Sequence, residues 1–372
     1  MGFAYKSVVR PLLFKLDSRT VHEYAEKAAL WISRHDHLLE MMAGHYSEDD
    51  ERLRTKVFGL DFRNPVGLAA GYDKNGEMVD FLPALGFGYL NIGSVTAEAN
   101  PGNPGKRAWR LPDDQAILNN YGLNSEGREK VSTRLEGKRR KVPIFINIAK
   151  TNDPRITGDA AIEDYLKSLG SLYRVADGIE VSVGCGNTAD GRTFEDPRNL
   201  DRLLNRVKRE KDLLACMGKK PIVVKLSPDN DYGRLNEIID VCEDYDTDGY
   251  TIANASKRWT NLNTDKCTLD EIRKAGSFSL SGRPIREKTT RQVSHVYART
   301  EGRKPIKGCG GIFSAEDALE KIFAGASLVE FLTGFPYEGH TLPREINRGI
   351  LKYMERNGIE KMSDMVGMNS RI

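Results

Sequence analysis

Cysteine is scarce in this chain, with five in 372 residues, Cys185, Cys216, Cys242, Cys267 and Cys309. The number is odd, the spacing is wide, and no CxxC pair or histidine cluster accompanies them. That excludes a disulfide framework and a metal site and points to a reducing compartment. Long apolar runs are also missing. No stretch of about 18 apolar residues is available to span a bilayer, and the N-terminus lacks the apolar core and small-residue cleavage site of a secretory signal. Charge of one sign is missing too, because 56 Lys+Arg against 53 Asp+Glu leaves a net charge of only +3. A dedicated nucleic-acid binder would carry a basic excess. These absences predict a protein of the cytosol, or one attached to a membrane from one side, with no metal and no nucleic-acid partner.

What is present suffices for a full core, since 39% of the residues are hydrophobic and 29% charged. The first 45 or so residues read as a separate unit, leaving 46–372 as the main domain. VVRPLLFKL and TVHEYAEKAALWIS carry apolar residues at helical spacing, and the charged stretch SEDDER follows. Val21, Tyr24, Ala25, Ala28, Trp31 and Ile32 would share one helix face, with Asp17 or Ser18 as cap. Such a face can pack on the main domain or lie on a membrane surface.

From residue 57 onward eight short apolar, β-rich runs alternate with helical stretches: 65–70, 89–95, 144–148, 178–183, 222–226, 249–254, 305–311 and 328–334. Near-continuous apolar strands separated by helices mean a parallel sheet buried on both faces. Eight such units predict a closed (β/α)8 barrel, an α/β fold of the TIM type, with a small N-terminal helical extension. The run 255–283 has no clear periodicity and reads as a mobile active-site loop.

Polar and glycine residues collect where those strands end, which is where barrel enzymes keep their chemistry. Gly310-Gly311 and Thr333-Gly334, on neighbouring late strands, suit a phosphate held by backbone N–H groups. A plain turn is the bland alternative for either pair alone. Lys225 ends the apolar strand IVVKL, where an unpaired ammonium would be costly to bury, so it needs an anionic partner. The pyrimidine edge of a reduced flavin would supply one, and so would a neighbouring strand-end acid, although the strand ends offer few.

The runs FGLDFRNPVGLAAGYDKNGE (58–77), IGSVT (92–96), RLPDDQAILNNYGLNSEG (110–127), NIAK (147–150), VKLSP (224–228), SGRPI (281–285) and DALEKIFAGASLV (317–329) resemble the class 2, quinone-linked dihydroorotate dehydrogenases. The resemblance covers nearly the whole chain, including the N-terminal helices. It implies an FMN cofactor on Ala70, Gly71, Ser94, Asn147, Lys225, Ser281, Gly282, Gly310, Gly311 and Thr333. It implies a dihydropyrimidine on Lys74, Asn119, Asn187 and Asn254, and a quinone tunnel at His22 and Arg110. One substrate carbon would give hydride to the flavin while a base on the strand-four loop removes the neighbouring proton. The implied protein is a monomer in peripheral contact with a membrane, on the cytoplasmic side or at the mitochondrial inner membrane if a targeting segment has been removed.

Several positions depart from the pattern. The strand-four loop, roughly Asn-Val-Ser-Ser-Pro-Asn-Thr in class 2, reads Ser182-Val183-Gly184-Cys185-Gly186-Asn187-Thr188 here. Cys185 thus replaces the catalytic serine, as in class 1. A thiol, with an ordinary pKa of about 8.5, ionises far more readily than a hydroxyl. A small loop filler is the bland reading of Cys185. Ser182 replaces an asparagine and Ala255 a threonine, so two partners of the substrate ring are shortened or lost. Each unpaired group costs about 1–3 kcal/mol. Leu332 replaces a tyrosine beside the flavin. Gly184 and Gly186 are expected to make the loop more pliable. Three functions follow: dihydroorotate oxidation in pyrimidine biosynthesis, oxidation or reduction of another small cyclic amide or acid, or a flavin-binding interaction module without turnover.

Overall fold

A computed structural model describes residues 5–188, 193–260 and 262–370. Eight parallel strands form a closed barrel: β1 (Val66–Leu68), β2 (Tyr89–Val95), β3 (Ile144–Ile148), β4 (Gly178–Ser182), β5 (Ile222–Leu226), β6 (Gly249–Ile252), β7 (Ile306–Cys309) and β8 (Leu328–Phe331). Neighbours in the barrel are neighbours in sequence, and β8 closes on β1. Every residue of β3, β4 and β5 is buried, as expected for strands covered by helices outside and by side chains within. The strands are shorter than the apolar runs suggested. In β6, β7 and β8 pairing stops at Ile252, Cys309 and Phe331, and the residues beyond turn into the loops that build the site.

The N-terminal barrel mouth is plugged by Val57, Phe62, Tyr89, Phe145, Val223 and Leu328. Two of these come from the antiparallel hairpin Thr55–Val57 and Leu60–Phe62. Beside the opposite mouth stands an antiparallel sheet of three strands, Ala108–Leu111, Ala116–Asn119 and Ser279–Gly282. It has a small core of its own, in which Leu118, Ile272, Phe278 and Leu280 are buried. Here the expectation of a mobile loop over 255–283 fails. The segment contains the helix Lys266–Ala275, capped by the Asp265 side chain, and the strand Ser279–Gly282. Its periodicity was hidden because the helix buries only Ile272 and the strand is four residues long.

Three N-terminal helices, α1 (Arg10–Phe14), α2 (Ser18–Ile32) and α3 (Asp36–Tyr46), lie against the barrel. Asp17 caps α2, its carboxylate accepting from the Arg19 and Thr20 amides at 2.9 and 3.4 Å. The apolar face expected on α2 is divided. Val21, Ala25 and Ala28 line an internal cavity, whereas Tyr24 and Trp31 are 64% and 58% exposed. No helix of the described residues is long and apolar enough to cross a membrane.

Candidate active site

The C-terminal ends of the barrel strands, the small sheet and the N-terminal helices enclose one cavity of about 630 Å³. Every candidate residue named from the sequence lines it. The floor carries Ala70, Gly71, Ser94, Asn147 and Lys225, and Gly310, Gly311 and Thr333 form one side beside Ser281 and Gly282. Lys74, Asn119, Cys185, Asn187 and Asn254 line the polar part, together with the departures Ser182 and Ala255. Leu332 lines the same cavity beside Gly71, and an apolar branch runs under α1–α3 past Leu13, Phe14, Val21, His22 and Met42. The floor and glycine-turn residues are far apart in sequence because they sit where barrel strands end, and barrel closure brings those ends together, whereas Asn119, Ser281 and Gly282 come from the small sheet and His22 from α2.

At and beneath the floor lies a group of four buried charges, Lys225 and three that sequence reasoning missed, Lys307, Glu180 and Glu330. Lys225 Nζ is 3.3 Å from Glu180 and 3.5 Å from Glu330, and Lys307 Nζ is 2.6 Å from Glu180 and 3.7 Å from Glu330. Lys225 therefore does have acids of the protein as partners, although the strand ends offer few. Its partners sit mid-strand, in GIEVS and LVEF, pointing into the barrel. The signal was legible in principle: a lone charge in an otherwise apolar strand has to meet its opposite. Burial alone would lift the Glu180 carboxyl, but the ammonium groups of Lys225 and Lys307 hold it well below the ordinary range. Burial would lower Lys225, and the two carboxylates more than reverse it. Burial dominates at Glu330 and pushes it up. A permanent ammonium thus stands at the cavity floor.

The residues fit a flavin phosphate and ring system on two observations. Asn147 is buried, its Nδ2 donates to Glu180 Oε1 at 2.6 Å, and its Oδ1 is a buried acceptor without a protein donor. Gly310 and Gly311, which line the cavity, run consecutively at φ +98° and +75°, and a Cβ on either would press on Thr289 or Arg286, so glycine lets this turn pack directly against the helix Arg286–Arg299. Thr333 Oγ1 donates to Ser281 Oγ at 2.9 Å, joining the strand-eight end to the small sheet.

In the polar part, Lys74 lies 4.7 Å from the Tyr121 ring centre and is pushed down to about 8, first by burial. Asn187 Nδ2 donates to Asn119 Oδ1 at 2.8 Å, and Asn254 Nδ2 donates to the Gly184 carbonyl at 3.3 Å. Cys185, half-buried, stands between them on the strand-four loop. In the apolar branch, His22 packs edge-on against Tyr72 with ring centres 4.9 Å apart, and burial followed by the Lys74 charge drives it down to about 4. It is neutral at physiological pH. Arg110 has a second duty there, since its Nη1 donates to the carbonyls of Leu13, Phe14 and Leu16 at 3.2, 3.1 and 2.9 Å. A cation at the C-terminal end of a helix is favourable, so it ties α1 to the small sheet.

The dihydroorotate dehydrogenase family model matches residues 52–354. A dihydroorotate dehydrogenase (quinone) from Gloeobacter violaceus is 37% identical over 366 residues, spanning 97% of this chain and 98% of the relative. One from Natronomonas pharaonis is 39% identical with the same coverage. The crystal structure of DHODH from Eimeria tenella in complex with ferulenol superposes with a TM-score of 0.79 at 29% identity, covering 91% of this chain and 95% of that one.

Proposed function

The chain belongs to the dihydroorotate dehydrogenase family, and from that premise we propose that it oxidises dihydroorotate to orotate with FMN as cofactor and a quinone as electron acceptor. The observation that carries this reading is the single cavity joining the polar strand-end site to the apolar branch under α1–α3. A polar dihydropyrimidine and an apolar quinone would each find a wall of their own character.

Bound FMN would accept the electron pair from the substrate and pass it to the quinone. Ala70, Gly71, Ser94, Asn147, Ser281 and Gly282 would hold its ring system, and Gly310, Gly311 and Thr333 its phosphate. Lys225 keeps a positive charge where the reduced pyrimidine edge would become anionic, and Glu180 and Glu330 keep that lysine charged and in place. Lys74, Asn119, Asn187 and Asn254 orient the substrate. Cys185, on the loop after β4 and lining the cavity, removes its proton. His22 and Arg110 flank the quinone path. Val8, Val9, Leu12, Leu16 and Met41, 59%, 43%, 60%, 50% and 63% exposed, join Tyr24 and Trp31 as an apolar face suited to the interface of a membrane, from which the quinone would enter. All these residues belong to one chain, and a monomer is the proposed working unit.

Ser182 and Ala255 favour a second reading. Both face the cavity, and neither reaches as far as the family's asparagine and threonine, so a different small cyclic amide or acid would fit the same chemistry. Anaerobic stopped-flow mixing of the FMN-loaded protein with dihydroorotate decides between the two. Bleaching of the flavin, reversed by a short-chain ubiquinone, is expected. An oxidised flavin that another cyclic amide bleaches would replace dihydroorotate, and one that nothing bleaches would overturn the enzymatic reading.

A further inference from the structure

The two glycines that flank Cys185 do not leave the loop loose, as their flexibility alone would suggest. Each makes room for a charged side chain. A Cβ on Gly184 would fall 2.5 Å from Glu195 Oε1, and one on Gly186 would fall 2.8 Å from Lys257 Cε. Glu195 is buried and accepts from the Ser227 amide at 2.6 Å and from Asn230 Nδ2 at 3.1 Å, which anchors the near side of the loop to the end of β5. Lys257, five residues beyond β6, crosses to the far side. Its ammonium donates to Asn187 Oδ1 at 3.2 Å and to the carbonyl and hydroxyl of Ser277 at 3.1 Å each.

The chemistry of that ammonium has a consequence for the site. A lysine can only donate, so the Asn187 side chain must turn its oxygen toward it. Ser279 Oγ donates to the same oxygen at 2.7 Å, which fills both lone pairs. The amide nitrogen then points the other way, with one hydrogen on Asn119 Oδ1 and one left for the cavity. Asn119 is oriented in turn, because its oxygen accepts from Asn187 and its nitrogen donates to the Ser279 carbonyl at 3.2 Å, again with one hydrogen to spare. Both asparagines therefore offer donors to the ligand. An alcohol in place of Lys257 could donate or accept and would leave the Asn187 amide free to flip, and a carboxylate, which only accepts, would draw its nitrogen instead.

We propose that Lys257 is a positioning residue which fixes Asn187 and Asn119 as donors and so selects a ligand whose facing edge consists of acceptor oxygens, an anionic carboxylate above all. The inference rests on the reading that Asn119 and Asn187 face the substrate. It also accounts for a site that tolerates Ser182 and Ala255, since a charge-backed pair of donors takes over part of the recognition that longer side chains would have given.

The test uses the full-length, FMN-loaded protein and its Lys257→Met and Lys257→Arg variants. Methionine keeps the stem beside Gly186 and removes every donor, whereas arginine keeps a donor-only cation. The dissociation constants of orotate and of its neutral methyl ester are read from flavin absorbance changes, and flavin reduction by dihydroorotate is followed by stopped flow. In Lys257→Met the orotate affinity and the half-saturating dihydroorotate concentration should worsen by about tenfold to a hundredfold, the range of a lost charge-assisted hydrogen bond. The limiting rate should stay within about threefold, as for a loss of binding rather than of chemistry. The preference for orotate over its ester should collapse, and arginine should restore it. A merely structural lysine would weaken both ligands alike. An unchanged preference in Lys257→Met, or an arginine variant as impaired as the methionine one, overturns the proposal. A parental protein that dihydroorotate does not bleach defeats the functional reading instead. Lys257 is then judged on a panel of planar carboxylates and their esters, where the absence of any methionine-sensitive preference counts against it.

Discussion

As the proposed base, the thiol of Cys185 would become available at a lower pH than a hydroxyl in its place. Cys185 lines the cavity on a loop anchored at both ends, so its position depends little on its own side chain and its substitution is a clean experiment. Flavin reduction should rise with pH toward the ordinary thiol range of about 8.5 and then level, because the thiolate fraction limits proton removal. Cys185→Ala should slow flavin reduction by about a hundredfold to ten-thousandfold while FMN stays bound, the range for losing a general base. Cys185→Ser should keep measurable activity with its pH dependence moved upward. An alanine variant that reduces flavin at the parental rate would make Cys185 a packing residue and send the search for a base elsewhere.

Helix α2 carries two titratable groups one turn apart, His22 and Glu26, and they act on its docking in opposite senses. Glu26 meets Glu77 of the loop after β1, and burial, then the shared hydrogen bond, lift it to about 8. A carboxyl whose folded pKa is raised contributes stability that is fully present below its ordinary value of 4.5 and is lost as pH climbs through 8. His22, depressed from 6.5 to about 4, contributes stability that is present above 6.5 and lost as pH falls through 4. The two oppose each other between 4.5 and 6.5, so docking is flat there. Above 6.5 only Glu26 is changing, against Glu77 and Asp73 and partly relieved by Lys74, and α2 loosens. Lys74, depressed to about 8, works in the other direction only beyond that. Hydrogen exchange of the α2 amides, corrected for intrinsic rates, should show less protection at pH 8 than at pH 6.5 relative to the barrel strands. Glu26→Gln should abolish the difference; a variant that keeps it would place the titration on another group.

For the molecule as a whole, the proposed division of labour puts substrate oxidation in the barrel and quinone access in the helices. Removing residues 1–46 should leave flavin reduction by substrate within about threefold, while quinone reduction falls by at least about tenfold. Because truncation also bares the cavity walls, a subtler variant is needed beside it. Leu12→Glu with Trp31→Glu alters only side chains that are 60% and 58% exposed, so the fold should stand. Sedimentation with anionic phospholipid vesicles should be lost, since each apolar side chain buried in the interface is worth about 1.5–3 kcal/mol. Turnover with a water-soluble short quinone should be unchanged. Full-rate quinone reduction by the truncated protein would remove the path under α1–α3 from the mechanism.

The eight strands, their order and the barrel class were legible in the sequence, because period and length of apolar runs are local properties and the parallel (β/α) alternation leaves few ways to close. The wall residues of the cavity were legible too, since strand ends and the motif runs mark them one by one. Legibility failed where a residue's meaning depends on what faces it. Glu180 and Glu330 drew no reading inside their apolar strands, and only barrel closure set them against Lys225 and Lys307. The segment after β6 looked like a loop because its helix and strand bury little until the small sheet covers them. Gly184 and Gly186 suggested pliancy, and only the approach of Glu195 from further along the same loop and of Lys257 from the loop after β6 turned that freedom into a grip. Chain-local chemistry determined which groups this protein has to work with. Long-range packing alone decided their partners, because contacts between residues tens to hundreds of positions apart are set by closure of the barrel, and no local period encodes them.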